Sequence, residues 1–428
     1  MDISGVKKVH FIGIGGIGIS ALARLMLHAG YEVSGTNDSP SPETLDELRN
    51  KGVQISLDQS PERLPKADMY VYSDAWLTNN PVILDAARAT GAPTLSYFEA
   101  LGAITKKYKL VAVAGTHGKT TTTAMVADVL EAAGIDPTVV VGSLRAKTGS
   151  NFAAGAGEWF VVEADEYRRH FLQFTPAVLI ITNIDAAHLD YYKDLADVQS
   201  AFAEVIAKIG KDGVVVCNPH DPHVAPVVAS VLPRVVDYTL AHALTLKVPG
   251  VHNVKNAQAA HAAAEAVGVA DDVIHTALET FAGTWRRLEY KGKMTTGADL
   301  YDDYAHEPQE IAASLAAIRS VYPAKKIWAV FQPHLFSRTK TLLHEFATSF
   351  TDANAVLVSD IYPAREPFDA TIHSKDVVKE VLIHQNNALY VSTLSDLEKK
   401  LKEETRPEDV VIVMGAGSIY ELPGKLTK

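Results

Sequence analysis

Short runs of apolar residues recur along the chain, and most are followed within a few positions by glycine or by polar side chains. Runs of this length that are bounded by turn residues are typical of buried strands in a parallel sheet. The first hundred residues predict strands at 9–13, 31–35, 69–73 and 93–96, with helices at 20–28 and 81–89. A strand, a Gly-rich turn, a helix and a second strand in this order predict a Rossmann-type α/β unit.

The same alternation of strands and helices continues through the rest of the chain. Strands are predicted at 110–114, 138–141, 159–163, 178–183, 300–304, 326–331, 355–360 and 409–414, and helices after Lys119 and after Pro249. A length of 428 residues indicates two or three domains. Changes in composition place the boundaries near residues 105–107 and near Arg286 and Arg287.

A Gly-rich turn follows the predicted strand at 110–114 and opens a helix. It consists of Gly115, Thr116, His117, Gly118, Lys119, Thr120 and Thr121. Backbone N–H groups at such a turn bind phosphate, Lys119 would add a charge for the outer phosphates, and the Thr120 hydroxyl would bind Mg²⁺. Val113 stands where the full P-loop pattern has glycine, so this is a P-loop variant. It predicts a nucleoside triphosphate site, the alternative being a Gly-rich turn with an exposed lysine.

Polar residues follow the next strands. Glu163, Asp165 and Glu166 end the predicted strand at 159–163, which is where an α/β NTPase places Mg²⁺ ligands. We expect a metal role for at least one of them, the alternative being a solvated acidic turn. His188 follows the strand at 178–183 and is a candidate second metal or phosphate contact.

Further polar residues stand at a helix start and at late strand ends. Asn253 and Asn256 lie where asparagine usually caps a helix, although the preceding Pro-Gly also permits a loop that faces a ligand. Asp303, His306, His334 and Arg338 follow strands in the last third of the chain and indicate a site there. Arg338 could pair with a substrate carboxylate through two hydrogen bonds.

The N-terminal turn has the GxGxxG pattern at Gly13, Gly15 and Gly18, with a further glycine at Gly16, and Asp38 follows at the distance of a ribose-binding acid. Taken alone, this segment would indicate an NAD enzyme. The pattern by itself indicates a diphosphate near a helix N-terminus and leaves the nucleotide open.

Composition narrows the class of protein. A net charge of −11 argues against a general nucleic-acid binder. The one cysteine, Cys217, excludes an internal disulfide and a Cys-based metal site, which fits a cytoplasmic protein. Arg24 interrupts the N-terminal apolar run, so we expect neither a signal peptide nor insertion into a membrane.

Seven stretches of the chain together resemble one family. They are, in order, HFIGIGGIGIS, AGTHGKTTTTAM, EADEYRRHFL, TNIDAAHLDYY, PGVHNVKNA, DDYAHEPQEI and FQPHLFSRT. In this order and at this spacing they resemble the Mur ligases, the ATP-dependent amide-bond-forming enzymes of peptidoglycan synthesis. The resemblance covers nearly the full length.

The resemblance implies three α/β domains: a Rossmann-like UDP-sugar domain at 1–105, a central P-loop ATPase-type domain at 106–284, and a Rossmann-like amino-acid domain at 285–428. It implies ATP contacts from the residues of the Gly-rich turn with Asn253, Asn256 and Arg287, and Mg²⁺ ligands at Thr120, Glu163 and His188. It implies UDP-sugar contacts from Gly13, Gly15, Gly16, Gly18 and Ser73, and amino-acid contacts from Tyr304, His306, His334 and Arg338.

The implied reaction joins L-alanine to the lactyl carboxylate of UDP-N-acetylmuramate through an acyl phosphate. The residues expected to act in catalysis are Lys119, Glu163, His188, His306 and Arg338. Two alternatives stay open: a recycling ligase that attaches an intact tripeptide to the same sugar, and an NAD-dependent oxidoreductase, which would leave Lys119 and Glu163 without a role.

The sequence also departs from the family pattern. Glu307 stands where the family usually repeats histidine, Leu288 where phenylalanine is usual, and Asn37 where aspartate is frequent. The stretch around Ser73 is a poor copy of a double-serine motif, and the segment from Cys217 to Pro249 is shorter than usual.

Overall fold

A computed structural model of the protein describes residues 3, 5–189, 191–242, 244–364, 366–384 and 386–427. The chain forms two compact units. The first comprises Met1–Thr245 and Val254–Ala282, and the second comprises Leu246–Asn253 and Gly283–Lys428.

The first unit begins with a five-stranded parallel sheet in the order β3-β2-β1-β4-β5. Its strands are β1 (Lys8–Ile12), β2 (Glu32–Thr36), β3 (Gln54–Ser56), β4 (Met69–Tyr72) and β5 (Thr94–Ser96). Its helices are α1 (Ile17–His28), α2 (Pro42–Asn50), α3 (Trp76–Asn79), α4 (Pro81–Ala89) and α5 (Tyr97–Thr105). Because β1 lies at the centre, the turn after it opens at the carboxyl edge of the sheet, where ligands bind in such folds.

The second sheet of this unit has seven strands in the order β12-β11-β10-β6-β9-β7-β8. They are β6 (Lys109–Ala114), β7 (Thr138–Arg145), β8 (Ser150–Ala153), β9 (Trp159–Glu163), β10 (Val178–Ile181), β11 (Val214–Cys217) and β12 (Arg234–Asp237). All neighbours are parallel except β7 and β8. The helices are α6 (Lys119–Ala132), α7 (Leu195–Ala207), α8 (Ala225–Val228), α9 (Val251–Val267) and α10 (Asp271–Glu279), and α9 belongs to this unit from Val254 onwards.

One hydrophobic core runs through both sheets of the first unit, since Phe11 of β1 and Phe160 of β9 belong to the same buried cluster. Polar contacts add to it. The buried guanidinium of Arg24 on α1 donates to Asn151 on β8, and the Asn151 amide donates to Ser20 Oγ over 3.1 Å. The first two sheets are therefore packed as one body.

The second unit contains a six-stranded sheet in the order β13-β14-β18-β15-β16-β17, parallel except for β13. The strands are β13 (Glu289–Lys293), β14 (Asp299–Asp303), β15 (Ile327–Phe331), β16 (Ala355–Val358), β17 (Ala388–Tyr390) and β18 (Val410–Met414). The helices are α11 (Pro308–Val321), α12 (Phe336–Thr341), α13 (Leu343–Ser349), α14 (Ser374–His384), α15 (Leu394–Glu404) and α16 (Leu422–Leu426). Separate hydrophobic clusters cover its two faces.

Every strand predicted from the sequence is present, mostly within one or two residues of the expected bounds. The three parallel-type sheets confirm a three-domain α/β protein. The exact domain ranges stay predictions, because the first two sheets share a core. Among the described residues, no helix combines the length and low charge needed to cross a membrane.

Candidate functional site

The turn between β6 and α6 has a backbone that requires glycine at two positions. Gly115 has φ of 133° and Gly118 has φ of 81°, both in the region that disfavours side chains. A Cβ on Gly115 would lie 2.0 Å from Thr182 Oγ1, and one on Gly118 would lie 2.3 Å from Asn256 Oδ1. The structure therefore places the predicted nucleotide residue Asn256 against the P-loop.

The segment that follows the neighbouring strand β10 (Val178–Ile181) positions the rest of this turn. The backbone N–H of His117 donates to Asn183 Oδ1 over 2.9 Å, and the hydroxyl of Thr116 accepts from the backbone N–H of Asp185 over 2.9 Å. Thr121 is buried in the first turn of α6. These contacts hold the shape of the turn, and the N-terminus of a 14-residue helix lies behind it.

Lys119, the first residue of α6, lies in a ring of acceptors. Its Nζ donates to Gly115 O over 2.5 Å, to Thr116 O over 3.2 Å and to Glu166 Oε2 over 2.8 Å. Burial opposes the charge of Lys119, but Glu166 and the nearby carboxylates of Asp165 and Glu163 outweigh it and raise the Lys119 pKa. The amine is therefore charged and lies beside the Gly-rich turn at the N-terminus of α6.

Thr120 and Glu163 meet directly. The Thr120 hydroxyl donates to Glu163 Oε1 over 3.0 Å, and Glu163 Oε2 accepts from the backbone N–H of Gly142 over 2.8 Å. Because β6 and β9 are parallel neighbours, the start of α6 and the end of β9 lie at the same edge of the sheet. The two predicted Mg²⁺ ligands from these elements are thus adjacent.

The third predicted metal ligand, His188, pairs with a different carboxylate. Its Nε2 lies 3.4 Å from Glu166 Oε1. Burial opposes protonation of His188, but Glu166 outweighs it and raises the His188 pKa. Ligand atoms of Asp165, Glu166 and His188 all lie within 4.8 Å of one another.

Glu166 gives a test of whether this site fits a metal ion. The side chain is 1% exposed, and its Oε1 makes no hydrogen bond of normal geometry within the described part of the chain. A buried carboxylate oxygen without such a partner is costly unless a ligand satisfies it. Carboxylate and hydroxyl oxygens are the donors that Mg²⁺ prefers, so the residues present fit that ion.

His170 also lies at this edge, and sequence reasoning missed it. Its Nε2 lies 2.7 Å from Asp74 Oδ2, its Nδ1 lies 3.4 Å from Asp165 Oδ2, and its ring stacks on Phe98 at 4.2 Å. Burial opposes protonation, but hydrogen bonds to the two carboxylates prevail and raise the His170 pKa to about 9. No local pattern in the sequence connects position 170 with position 74.

A cavity of about 350 Å³ opens between these groups. Its lining includes Gly16, Gly18 and Ser73 from the first sheet, and Glu163 and His170 from the second. Three of the five residues predicted to bind the UDP-sugar therefore share one cavity with a predicted catalytic carboxylate.

The other two predicted UDP-sugar residues have packing roles. Gly13 has φ of 82°, and a Cβ there would lie 1.9 Å from the indole Nε1 of Trp76. The backbone N–H of Gly15 donates to Asn37 Oδ1 over 2.9 Å. Asn37, which departs from the family pattern, thus supports the glycine turn, while the exposed Asp38 accepts from Ser39 Oγ over 3.2 Å.

In the second unit, a buried ion pair positions the end of β14. Arg286 Nε lies 3.2 Å from Asp302 Oδ2, and burial raises the Asp302 pKa to about 6 although Arg286 opposes that change. Asp303 accepts from the backbone N–H groups of Leu288 and Ala305, each over 2.7 Å. These contacts determine where Tyr304 and His306 emerge from the strand.

The predicted amino-acid residues of this unit lie together. The rings of Tyr304 and His306 are 5.3 Å apart, and those of His306 and His334 are 6.0 Å apart. His306 Nδ1 lies 3.2 Å from Glu310 Oε2. The guanidinium of Arg287 lies 5.1 Å from the Tyr304 ring centre, so this predicted nucleotide residue is beside the aromatic group.

Part of the Arg338 guanidinium makes no hydrogen bond within the described part of the chain. Its Nε lies 3.5 Å from Glu307 Oε1, while its Nη1 is buried without a hydrogen-bond partner among the described residues. A guanidinium with an unused N–H donor can hydrogen-bond to the carboxylate of a bound amino acid. Glu307, the departure from the family pattern, balances part of the Arg338 charge.

Asn253 belongs to the second unit, where its side chain donates to Pro249 O over 2.7 Å. Its predicted contact with a nucleotide stays a prediction, as do the ligand roles of the other site residues.

Profiles of one protein family match almost the whole chain. Residues 8–109 match a profile described as Mur ligase family, catalytic domain. Residues 113–243 match the Mur ligase middle domain, and residues 286–417 match the Mur ligase glutamate ligase domain.

Individual proteins of this family are similar in sequence to the chain over nearly its full length. The UDP-N-acetylmuramate–L-alanine ligase of Acetivibrio thermocellus is 38% identical over 99% of this chain and 96% of its own length. That of Aquifex aeolicus is 38% identical over 97% of this chain and 96% of its own length.

Solved structures show the same fold. The crystal structure of UDP-N-acetylmuramate-alanine ligase from Thermotoga maritima superposes with a TM-score of 0.82 and 30% identity, covering 98% of each chain. A murein peptide ligase from Psychrobacter arcticus has a TM-score of 0.73 and 24% identity, covering 99% of each chain, and shows the fold alone.

Proposed function

This chain belongs to the Mur ligase family, and on that basis we propose that it uses ATP to join L-alanine to the lactyl carboxylate of UDP-N-acetylmuramate. The observation that carries the proposal is the cavity shared by Gly16, Gly18, Ser73 and Glu163. A helix N-terminus suited to a diphosphate and a carboxylate beside the P-loop line the same space. A sugar nucleotide bound there would bring its own carboxylate towards the γ-phosphate of ATP.

The first step activates that carboxylate. A carboxylate oxygen of the substrate attacks the γ-phosphorus, the bond between the γ-phosphorus and the β,γ-bridging oxygen breaks, and ADP leaves. Lys119 would exchange its contact with Glu166 for the phosphates and stabilise the negative charge that moves onto them. The N-terminus of α6 would add backbone N–H donors at the same place.

Thr120, Glu163 and His188 would hold Mg²⁺, with Glu166 and Asp165 beside them. When bound, the ion would neutralise phosphate charge during the transfer. Lys119 and His188 both contact the buried Glu166.

The second step forms the amide. The amine of L-alanine attacks the acyl carbon, the bond from that carbon to the phosphate oxygen breaks, and inorganic phosphate leaves. Arg338 would bind the alanine carboxylate through the buried Nη1, and His306 would position the amine or accept its proton. Glu310, whose Oε2 lies 3.2 Å from His306 Nδ1, would orient the ring for this role.

Phosphate release from ATP and Mg²⁺ tests the proposal, with UDP-N-acetylmuramate and L-alanine supplied singly and together. We expect release only when both are present, and none from Lys119→Ala, which controls for contaminating ATPase. No release from the wild-type chain under any combination would contradict the proposal. Faster release with an intact murein tripeptide than with alanine would instead identify a recycling ligase.

A further inference from the structure

A cluster of two histidines and two carboxylates lies on α9 and α10, apart from the residues assigned above. His261 is on α9, while Asp271 and His275 are four residues apart on α10 and so lie on one helix face. His261 Nε2 is 2.7 Å from Asp271 Oδ1, and His275 Nε2 is 3.5 Å from the same oxygen. Two imidazole nitrogens therefore flank a single carboxylate oxygen.

The burial of His261 separates this cluster from an ordinary group of surface side chains. His261 is 3% exposed, and its Nδ1 has no hydrogen-bond partner within the described part of the chain. The nearest carboxylate oxygen, Glu265 Oε2, lies 3.6 Å from it. A buried imidazole with its far nitrogen directed at a carboxylate has the arrangement that orients histidine towards a metal ion.

The distances suit a small divalent ion. Bonds of about 2.0–2.1 Å in a tetrahedral site place donor atoms roughly 3.3 Å apart. The 2.7 Å and 3.5 Å separations bracket that spacing, and ligand atoms of all three residues lie within 4.8 Å of one another. Imidazole nitrogen favours zinc and its neighbours over Mg²⁺, which prefers oxygen.

We propose that His261, Asp271 and His275 form a binding site for a zinc-type divalent transition-metal ion, with Glu265 as an outer carboxylate. The exposed Asp271 and half-buried His275 leave the outer side of the site open for entry and for a water ligand. The ion would link α9 to α10. Asn256, earlier on α9, lies against Gly118, and α10 packs on α6, so the linked helices support the P-loop.

Zinc binding to the full-length protein, measured by competition with a chromophoric chelator in the absence of nucleotide, tests this proposal. We expect the wild type to bind one more equivalent of Zn²⁺ than His275→Ala, or to bind that equivalent at least about tenfold more tightly. Changes outside the ligand shell already cost about ten- to a hundredfold in metal affinity. Comparing variants removes any contribution from the Asp165, Glu166 and His188 cluster, which is unchanged in both.

Asp271→Asn is the second test variant, because Asp271 is exposed and its loss leaves the buried His261 in place. His220→Ala is the matched control, since His220 is 80% exposed and pairs with one carboxylate, Asp237, at 3.3 Å. Zn²⁺ should raise the unfolding midpoint of the wild type and His220→Ala more than that of the two test variants. Equal Zn²⁺ binding and equal midpoint shifts in all four proteins would overturn the proposal.

Discussion

Buried charged side chains beside the P-loop are matched by opposite charges. Glu166 is 1% exposed and contacts both Lys119 and His188. An unpaired ion at such depth would cost several kcal/mol, so each of these groups depends on the others. The surrounding carboxylates favour the charged form of Lys119.

The raised pKa of His170 predicts that the stability of the fold depends on pH. Its folded pKa of about 9 lies above the ordinary value of 6.5, so the protonated ring stabilises the fold fully below pH 6.5. That contribution, at most about 3 kcal/mol, is lost as the pH rises through 9. We expect the difference in free energy of unfolding between the wild type and His170→Gln, measured with urea, to shrink from pH 6.5 to 9. A difference that does not change with pH would contradict this assignment.

If Arg338 binds the alanine carboxylate, its removal should impair the use of alanine without affecting the sugar nucleotide. Arg338→Ala should lower kcat/KM for alanine about tenfold to a hundredfold, the loss expected from a charged hydrogen bond. Binding of UDP-N-acetylmuramate, measured by calorimetry, should not change. Lys340→Ala is the control, because this exposed lysine lies on the same helix α12. Equal kcat/KM values for Arg338→Ala and the control would show that Arg338 does not bind the alanine carboxylate.

At the scale of single elements, helix α6 is flanked by two glycines, Gly118 and Gly134, which both have a left-handed backbone. Gly118 before the helix has φ of 81°, and Gly134 after it has φ of 71° with open space among the described residues where a Cβ would extend. Alanine at either position carries a left-handed backbone cost of about 1–2 kcal/mol. Alanine at position 118 would also collide with Asn256 Oδ1.

We therefore expect Gly118→Ala to lower the free energy of unfolding more than Gly134→Ala and to weaken ATP binding, whereas Gly134→Ala should leave ATP affinity unchanged. Urea unfolding and calorimetric titration with ATP measure the two effects. Equal losses in the two variants would show that contact with Asn256 does not restrict the P-loop.

Two of the strands that the sequence did not predict share a simple cause. Strands β3 and β8 are short and mix polar with apolar residues, so they lack a continuous apolar run. Strand β8 is stabilised by pairing with β7 and by the contact of Asn151 with Arg24, which lies 127 residues away in the chain. The pattern of apolar residues within a short segment carries no information about such long-range contacts.

At the scale of the whole molecule, the first two sheets share a hydrophobic core, whereas the third has its own clusters on both faces. The predicted site residues divide in the same way. Those assigned to phosphate, metal and UDP-sugar lie in the first unit, except Asn253 and Arg287, and those assigned to the amino acid lie in the second. Full-length similarity to ligases, with the predicted pair Thr120 and Glu163 in contact, leaves the NAD-dependent alternative without support.

The resemblance to the Mur ligases implied three domains, whereas the residues by themselves determined the α/β class, the P-loop and the polar positions at strand ends. These follow from short-range patterns, because consecutive parallel strands place their carboxyl ends at one edge of a sheet. Only the tertiary structure decided which of those residues meet. Glu166 pairs with Lys119 and His188, His170 contacts Asp74 from 96 residues away, and Glu307 faces Arg338. Pairing of this kind depends on how the elements pack, and distant segments leave no common pattern in the chain.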